Sequence, residues 1–451
     1  MSAPSLLESS WERLLRSDLA ALARHQDQRW QELLRALQRN DFYRQRIGSL
    51  EPSGHAKTDL ANLPVLSKQE LVDDQAAHAP FGCNLSCDPA QLVRFHQTSG
   101  TTGQPLRWPD SQRNWDGFLR SWQRVFEGAG VSAADRVLVA FSFGPFIGFW
   151  GAFEAAQAMG ALAISGGAQT SLQRLEQIQA LDATVLVCTP TYALRLAEVA
   201  REQHIDLRNC SVRATIHAGE PGASVPAVRR QLEELWGATC WDHAGATEIG
   251  AWGYPARTRS ANEQPLCGLF VDETSFIAEF RDTTTGEWFA PAESAPTDEA
   301  TDLRRGELIL TALERPDRPV IRYATGALVQ PVRLDGADDR RLFLPGGVLA
   351  RIDDMFVVRG VNVYPAAIDG LVRQLPQIVE YRATVRRDRQ MSEMQLEIEV
   401  APGSDGVSAV VDALALLLRE RLSLRVPITV AEPGALPRFE LKAKRFQIRD
   451  T

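Results

Sequence analysis

The feature that most constrains the fold is a regular alternation of short apolar segments with longer amphipathic ones in the middle of the chain. Three segments rich in β-branched and other apolar residues are predicted to be strands: Val137–Phe141, Val185–Cys188 and Ala214–His217. Segments with helical spacing follow them: Phe149–Met159, Tyr192–Arg201 and Val225–Leu235. Short apolar strands alternating with helices favour a largely parallel sheet covered on both faces, so an α/β fold is predicted.

The pattern changes after Ile249 and starts again after Arg351. Between these points, strands separated by polar turns are predicted, including one at Val320–Tyr323. Beyond Arg351, about 100 residues with a β-α-β-β-α-β rhythm indicate a small α+β unit. We therefore predict a large N-terminal domain over 1–350, with mixed and parallel sheets, covering helices and a β-subdomain, and a small mobile C-terminal domain over 351–451.

Charge and hydropathy argue against several classes of protein. The 451 residues carry a net charge of −8, so there is no basic surplus to neutralise a nucleic-acid backbone. The most apolar uncharged run, Val137–Phe153, is shorter than the roughly 20 residues of a spanning helix. Six cysteines without a CxxC pair are typical of free thiols in a reducing compartment. A cytoplasmic protein that binds neither nucleic acid nor membrane is expected.

The sharpest local motif is a polar, glycine-containing run at Gln97–Pro105. Its glycines allow a tight turn, and its hydroxyls and backbone amides can surround a pyrophosphate. No Gly-Lys-Ser/Thr follows, so it is not a P-loop. By itself the run is also typical of an ordinary polar turn. The candidate phosphate-binding residues are Thr98, Ser99, Gly100, Thr101, Thr102 and Gly103.

Five further segments follow this run in a fixed order. The six together are Thr98–Gly103, Gly219–Pro221, Gly245–Glu248, Gly306–Ile309 with Ile321–Tyr323, Arg351–Asp354 with Arg359–Pro365, and Leu436–Arg438 with Lys442–Arg445. In this set the chain resembles the adenylate-forming superfamily, and within it the phenylacetate-CoA ligase family, from about Asp59 to Arg449. The resemblance implies that a carboxylic acid attacks ATP to give an acyl-adenylate, and that a thiol, usually coenzyme A, then displaces AMP. ATP, Mg²⁺ and coenzyme A are the implied cofactors.

The resemblance also assigns roles to the residues of the first step. Glu248, beside Thr247, matches the position that holds Mg²⁺ with the phosphates, and Lys442 matches the mobile catalytic lysine. On local grounds, Glu248 also fits a surface glutamate after a glycine-rich turn. Lys442 also fits an ordinary solvated basic run with Lys444 and Arg445.

The nucleotide and the domain movement are assigned in the same way. The loop Gly219, Glu220 and Pro221 matches the segment along the adenine, and Arg351 matches an arginine that reaches the ribose. Asp353 matches the family's hinge residue, about which the small domain rotates. A rotation about it would bring Arg359 and Gly360 to the thiol tunnel, since one pose cannot both shield the adenylate and admit a pantetheine arm. The nucleotide-binding set is completed by Asp242 and Arg322.

An aromatic cluster predicts the acid pocket. Five aromatic side chains lie between Phe141 and Trp150, with glycines between them, and such walls suit a flat ring. Most of them also fit an ordinary core. Two, Phe141 and Phe146, are predicted to line the ligand. The opposite wall and the groups that position the carboxylate are predicted to be His217, His243, Ala244 and Gly245, although His217 also fits a buried structural histidine.

Four positions depart from the family pattern: Gln104 replaces a lysine, Ala244 an aromatic residue, Ala327 an aspartate that grips the ribose, and Leu441 a glycine. Three interpretations follow. The ATP site is weak, or the nucleotide is held differently, with Asp242 or Asp335 in place of the lost aspartate, or adenylation has been lost.

These observations favour an ATP-dependent aryl- or arylacetate-CoA ligase. A second hypothesis is an adenylating enzyme that passes the acyl group to a carrier protein or an amine. A third is a repurposed homologue that binds an aromatic ligand or an acyl-CoA without ATP chemistry. The expected partner is a small aromatic acid, and a symmetric homodimer is the default assembly.

Overall fold

The computed structural model describes residues 17–48, 51–98, 105–141, 143–256, 258–259, 265–293, 303–336, 339–359, 361–387, 392–403, 406–439 and 443–450. Its helices are α1 (Leu19–Leu37), α2 (Asp41–Ile47), α3 (Ala56–Ala61), α4 (Lys68–Ala77), α5 (Gln112–Gly128), α6 (Ile147–Ala158), α7 (Ser171–Ala180), α8 (Pro190–Glu202), α9 (Pro226–Trp236), α10 (Pro365–Val372) and α11 (Val407–Leu422).

Its strands are β1 (Leu92–Gln97), β2 (Arg107–Ser111), β3 (Arg136–Val139), β4 (Leu162–Ser165), β5 (Val185–Cys188), β6 (Ala214–His217), β7 (Thr239–Asp242), β8 (Ala244–Ala246), β9 (Gly250–Pro255), β10 (Thr258–Arg259), β11 (Pro265–Leu266), β12 (Gly268–Val271), β13 (Phe276–Arg281), β14 (Trp288–Phe289), β15 (Ala292–Glu293), β16 (Gly306–Ala312), β17 (Tyr323–Val329), β18 (Val332–Arg333), β19 (Leu342–Pro345), β20 (Ala350–Arg351), β21 (Phe356–Val358), β22 (Val361–Val363), β23 (Ile378–Arg387), β24 (Glu393–Val400), β25 (Ile428–Val430) and β26 (Phe446–Asp450).

The described residues fall into two compact units. Unit 1 lies within Met1–Ala168 and His243–Gly347, and unit 2 lies within Gln169–Asp242 and Val348–Thr451. These units each combine two separate stretches of the chain, whereas the sequence predicted two consecutive domains that meet at 350/351. That domain boundary stays a prediction.

Unit 1 is built around the amphipathic helix α5. Ser111 caps this helix by accepting a hydrogen bond from the Asn114 backbone N–H at 3.2 Å. Its buried aromatic side chains recur at helical spacing and form one apolar face: Trp115, Phe118, Trp122 and Phe126. The unit also contains a six-stranded sheet with the order β15-β18-β19-β12-β9-β8, an antiparallel run β14-β13-β16-β17, the parallel pair β3 and β4, and the two-stranded pairs β1-β2 and β10-β11.

The first half of unit 2 contains the parallel strands β5, β6 and β7. Val185 of β5 is paired with Ala214 of β6, which in turn is paired with Thr239 of β7. The helix α8 begins at the carboxyl end of β5, where Thr189 caps it and Pro190 occupies its first turn. The strands are buried along their length, which explains their continuous apolar character.

The second half of unit 2 is a four-stranded sheet in the order β25-β24-β23-β26, with the helix α11 packed on it through Val410, Leu414 and Leu418. The C-terminal strand β26 runs parallel to β23 and was not predicted from the sequence. Its strand conformation is stabilised by backbone pairing with β23, which no local sequence pattern records.

The α/β fold class, with parallel and mixed sheets and a C-terminal α+β portion, is confirmed. The strands Val185–Cys188 and Ala214–His217 were predicted with their observed bounds. The strand predicted at Val320–Tyr323 was placed too early, because β17 begins only at Tyr323.

Two other expectations concern the cysteines and the membrane. All six cysteines are described and are free thiols. Among the helices that the structure describes, none combines the length and the hydropathy needed to cross a bilayer.

Candidate active site

The predicted metal residue Glu248 is a buried carboxylate in unit 1, with only 3% of its surface exposed. The Tyr323 hydroxyl donates a hydrogen bond to its Oε1, and the Lys68 ammonium lies 3.5 Å from the same oxygen. A fixed carboxylate oxygen is the kind of ligand that a hard divalent ion takes together with phosphate oxygens.

The loop that carries Glu248 is held from beneath by Arg315. The Arg315 guanidinium donates to the backbone carbonyls of Thr247 and Glu248, at 3.0 and 3.4 Å. It also forms a bidentate ion pair with Asp110, at 2.6 and 2.8 Å, and both side chains are almost completely buried. Because both ends of this pair are fixed, the backbone of the predicted Mg²⁺ residue is fixed as well.

The base of the predicted phosphate loop is closed by two hydrogen bonds between Thr98 and Leu106. The Thr98 backbone N–H donates to the Leu106 carbonyl, and the Leu106 N–H donates to Thr98 Oγ1, each at 3.0 Å. The other predicted loop residues, Ser99, Gly100, Thr101, Thr102 and Gly103, and also Gln104, lie outside the described residues. Their role stays a prediction.

The two predicted acid-pocket aromatics, Phe141 and Phe146, lie in unit 1, and their role stays a prediction. Phe141 is buried and stacks on Phe149 with the ring planes 12° apart. Phe146 is half-buried and precedes the first turn of α6. A small cavity in unit 1 is lined by residues that include Phe118, Ile249 and Arg315.

The other wall of the acid pocket was predicted in the segment that follows Asp242, which lies in unit 1. His243 is buried, its Nδ1 lies 2.9 Å from the Gly253 carbonyl, and its ring lies 4.3 Å from Trp122. Burial lowers the pKa of His243 to about 4, so it is neutral at pH 7. A Cβ at Gly245 would lie 2.8 Å from the Gly250 carbonyl, so β8 and β9 can approach only with glycine there.

His217 lies in unit 2, and both of its ring nitrogens have hydrogen-bond partners. Its Nδ1 lies 3.1 Å from the Cys188 carbonyl and its Nε2 3.0 Å from Thr215 Oγ1. The side chain is completely buried, and burial lowers its pKa to about 4. Since both ring nitrogens already have partners, these contacts favour the structural interpretation that the sequence left open.

The predicted nucleotide loop in unit 2 is organised around Asp242. Its two carboxylate oxygens accept hydrogen bonds from the backbone N–H groups of Ala223 and Ser224, at 2.7 and 2.6 Å. A Cβ at Gly222 would lie 2.7 Å from Asp242 Oδ1 and 2.5 Å from Pro190, so only glycine allows this turn. Burial raises the pKa of Asp242 to about 6, against the two N–H groups that favour the carboxylate.

The remaining residues of that loop differ in exposure. Gly219 is exposed and has a φ of 95°, while Glu220 and Pro221 are half-buried. Glu220 accepts hydrogen bonds from the backbone N–H groups of Thr191, at 2.9 Å, and Ala443, at 3.1 Å. The carboxylate therefore contacts protein backbone on two sides.

Arg322 was predicted to bind the nucleotide, but its donors are already engaged within unit 1. Its guanidinium bonds the Glu279 carboxylate at 2.8 and 3.0 Å and the Leu63 carbonyl, and it stacks over Trp288. Its backbone has a φ of 49°, a strained value that these contacts hold in place. Nucleotide binding by Arg322 stays a prediction that must compete with these bonds.

The predicted ribose and hinge residues of unit 2 contact each other. Arg351 forms a bidentate pair with Asp353, at 2.9 Å for both contacts, and both side chains are about half exposed. Arg359 pairs with Glu393 at 2.8 Å on the surface. Gly360, Leu441 and the predicted catalytic Lys442 lie outside the described residues.

One further cluster has metal-binding residue types. Asp74, His78 and Cys83 bring their ligand atoms within 4.8 Å of one another. However, His78 Nδ1 and Cys83 Sγ lie 3.0 and 2.8 Å from Asp74 Oδ1, which are hydrogen-bond distances. Ligands of one tetrahedral zinc ion stand about 3.3–3.8 Å apart, so the cluster is described by hydrogen bonds.

Comparison with known proteins decides the family. The family described as "AMP-binding enzyme" matches residues 38–292, more than half of the chain. The chain belongs to this family. A second family description, "AMP-binding enzyme C-terminal domain", matches residues 360–449.

Among AMP-binding enzymes, the chain is similar to ligases that form coenzyme A thioesters. It is 28% identical to the phenylacetate-coenzyme A ligase of Thermus thermophilus, covering 95% of this chain and 96% of that protein. It is also 28% identical to the Pseudomonas putida phenylacetate-coenzyme A ligase, with 94% and 93% covered. A solved 2-hydroxyisobutyryl-CoA ligase with its acyl-adenylate is 26% identical, with a TM-score of 0.85 over 96% of this chain and 91% of that one.

The cofactors expected from the sequence, ATP, Mg²⁺ and coenzyme A, are those of AMP-binding CoA ligases, so this expectation is confirmed. The residues present fit the metal, because Glu248 offers the fixed carboxylate oxygen that Mg²⁺ takes together with phosphates and water.

Sequence reasoning missed two contacts of Glu248. Lys68 was assigned no role from the sequence, and Tyr323 was only the last residue of the predicted strand Val320–Tyr323 and of the motif Ile321–Tyr323. Both come from segments far from Glu248 along the chain, so no local spacing could have indicated that they meet.

Proposed function

We propose that this AMP-binding enzyme is an ATP-dependent aryl- or arylacetate-CoA ligase. The observation that carries the proposal is the buried Glu248 carboxylate, fixed by Tyr323 and by the Arg315 bonds to its own backbone. A buried carboxylate costs free energy unless cations lie beside it, and Lys68 together with a bound divalent ion would supply them.

In the first step, an oxygen of the acid attacks the α-phosphorus of ATP, the bond to the bridging oxygen breaks, and pyrophosphate leaves. Glu248 would hold Mg²⁺, which offsets phosphate charge when bound. The Lys68 ammonium, 3.5 Å from Glu248, is placed to neutralise an adjacent phosphate oxygen. Lys442 is proposed to stabilise the charge that develops at the α-phosphate, as its match to the family lysine implies.

In the second step, the sulfur of coenzyme A attacks the acyl carbon, AMP leaves with the shared oxygen, and the thiol proton is released. The exposed Arg351–Asp353 pair fits a hinge between the two steps, because an exposed ion pair breaks at little cost. Arg359 and Gly360 are proposed to reach the thiol tunnel after that rotation.

The aromatic character of the acid has two supports. Both curated relatives described above are phenylacetate-coenzyme A ligases. Phe141 and Phe149 form a stacked pair, and the aromatic ring of an acid could make an edge contact with this pair. The 2-hydroxyisobutyryl group of the solved relative has no ring, so this choice needs a direct test.

The test is acid-dependent pyrophosphate release with Mg-ATP across benzoic, hydroxybenzoic, anthranilic and phenylacetic acids, with 2-hydroxyisobutyric acid as the aliphatic comparison. Release that an aromatic acid stimulates and that coenzyme A raises supports the proposal. Faster release with the aliphatic acid overturns the aromatic substrate. Release that hydroxylamine but not coenzyme A stimulates overturns the acceptor and favours a carrier protein or an amine.

The variant Lys442→Ala tests the catalytic assignment. It should lose adenylate formation while retaining acid binding, measured by calorimetry. Normal turnover of this variant would show that the assignment of Lys442 is wrong. The exposed Lys444→Ala serves as the control, since it removes a neighbouring charge from the same basic run.

A further inference from the structure

The carboxylate of Glu220 joins two parts of unit 2 that are distant along the chain. Its Oε1 accepts from the Thr191 backbone N–H in the first turn of α8, at 2.9 Å. Its Oε2 accepts from the Ala443 backbone N–H, at 3.1 Å. Glu220 therefore connects a helix N-terminus to the segment that enters β26.

The helix end explains why a carboxylate is held there. The first N–H groups of a helix have no partner within the helix, and the helix dipole favours negative charge at that end. Thr189 caps α8 through the Tyr192 N–H, which leaves the Thr191 N–H for Glu220. One carboxylate oxygen is thereby anchored, and the other points to Ala443.

The same segment is fixed a second time, two residues further on. Arg445 is 7% exposed, and it donates to the Glu380 carboxylate, with one contact at 3.1 Å, and to Thr191 Oγ1 at 3.3 Å. Thr191 thus meets Glu220 with its N–H and Arg445 with its hydroxyl. The backbone from Ala443 to Arg445 is held against the first turn of α8 at both ends.

We propose that Glu220 is a positioning residue for the adenylation step, which it supports by holding the backbone of the residue directly after Lys442. The inference rests on the proposed function, and it differs from the adenine contact that the sequence implied for this loop. A lysine has a long flexible stem, so a fixed backbone reduces the freedom of its ammonium group. Displacement of a catalytic group by about 1 Å can cost on the order of 100-fold in rate.

The variant Glu220→Gln tests the inference with little change in shape. A glutamine offers one acceptor oxygen and one amide NH₂, so it cannot accept from both backbone N–H groups at once. Losing a hydrogen bond to a charged group corresponds to about a 10- to 150-fold change. The matched control is Glu202→Gln, which removes an exposed carboxylate from α8, the helix whose first turn Glu220 contacts.

Two partial reactions separate the interpretations. Adenylation is followed by acid-dependent pyrophosphate exchange, and thioester formation by mixing chemically prepared acyl-adenylate with coenzyme A. We expect Glu220→Gln to lower the adenylation kcat about 10- to 150-fold, with a much smaller effect on KM for ATP and on thioester formation. Glu202→Gln should stay within about twofold of the wild type in both.

Three results would overturn the inference. A raised KM for ATP with an unchanged adenylation kcat would assign Glu220 to nucleotide binding. An equal loss in both partial reactions would indicate a general structural role. Unchanged rates would show that the bond to Ala443 does not position the catalytic segment.

Hydrogen exchange gives a readout that does not require activity. Peptides that cover 443–450 should exchange faster in Glu220→Gln than in the wild type, while peptides from α9 should be unchanged. Equal exchange at 443–450 overturns the inference even if the wild type is a confirmed ligase. A wild type that exchanges as expected but releases no pyrophosphate with any acid instead contradicts the proposed function.

Discussion

Two arginine–carboxylate pairs show how the same chemistry serves different purposes in the two units. Arg315 and Asp110 in unit 1 form a bidentate pair whose side chains are 2% and 0% exposed. Arg351 and Asp353 in unit 2 form a bidentate pair of similar length, but with 48% and 57% exposed.

Burial decides what each pair can do. A buried pair cannot open without leaving an unpaired charge away from water, so Arg315 keeps its bonds to the Thr247 and Glu248 carbonyls. An exposed pair contributes little to stability, because water replaces each partner. The first suits a fixed support under a reacting site, and the second suits a segment that must change conformation.

The largest effect is expected from breaking the buried pair with Asp110→Asn. The change leaves the Arg315 charge without its carboxylate, so the free energy of unfolding should fall by about 3–5 kcal/mol. Urea unfolding followed by circular dichroism measures it. A loss below about 1 kcal/mol would mean that the buried pair contributes no more to stability than the exposed pair.

The next prediction extends the comparison to a buried neutral group, His217. Its pKa is about 4 in the folded protein and about 6.5 when unfolded, so the unfolded chain binds the extra proton between these values. Stability from this group is therefore complete at pH 7 and falls as the pH drops from 6.5 to 4, by about 3 kcal/mol. The variant His217→Gln should show a correspondingly smaller loss of unfolding free energy between pH 7 and pH 4. An unchanged pH dependence would contradict the prediction.

A third prediction concerns the group that the buried pair supports. Tyr323→Phe removes the hydroxyl that donates to Glu248, so adenylation kcat/KM should fall about 10- to 150-fold. The control is Tyr43→Phe, another buried tyrosine, whose hydroxyl accepts a hydrogen bond from the Ile321 N–H. The control should lower stability and leave the pyrophosphate-exchange rate nearly unchanged. Equal losses of rate in the two variants would contradict a specific role of Tyr323 in adenylation.

The smallest change in stability is expected for Asp353→Asn in the exposed pair. The free energy of unfolding should change by less than about 1 kcal/mol in the same urea experiment. The ratio of thioester formation to adenylation is the functional measurement, since a hinge residue affects the exchange between poses. A stability loss as large as that of Asp110→Asn would make this pair a structural support as well.

Much of the fold could be predicted because its signals are local. The strands Val185–Cys188 and Ala214–His217 were predicted with their observed bounds, since their apolar patterns are continuous. The strand β26 was not predicted, because it is only five residues long and its pairing with β23 is a long-range contact. The start of β17 was misplaced, because Ile321 and Arg322 are buried outside any strand.

The sequence by itself determined the order of the motifs, the alternation of strands and helices, and through them the family and its chemistry. It named Glu248 and Glu220, because short motifs fix residue types at fixed spacing. Only the tertiary structure decided what each of them touches: Tyr323 and Lys68 for Glu248, Thr191 and Ala443 for Glu220. The physical reason is that burial and hydrogen-bond partners arise from segments that meet in space, which no local pattern records.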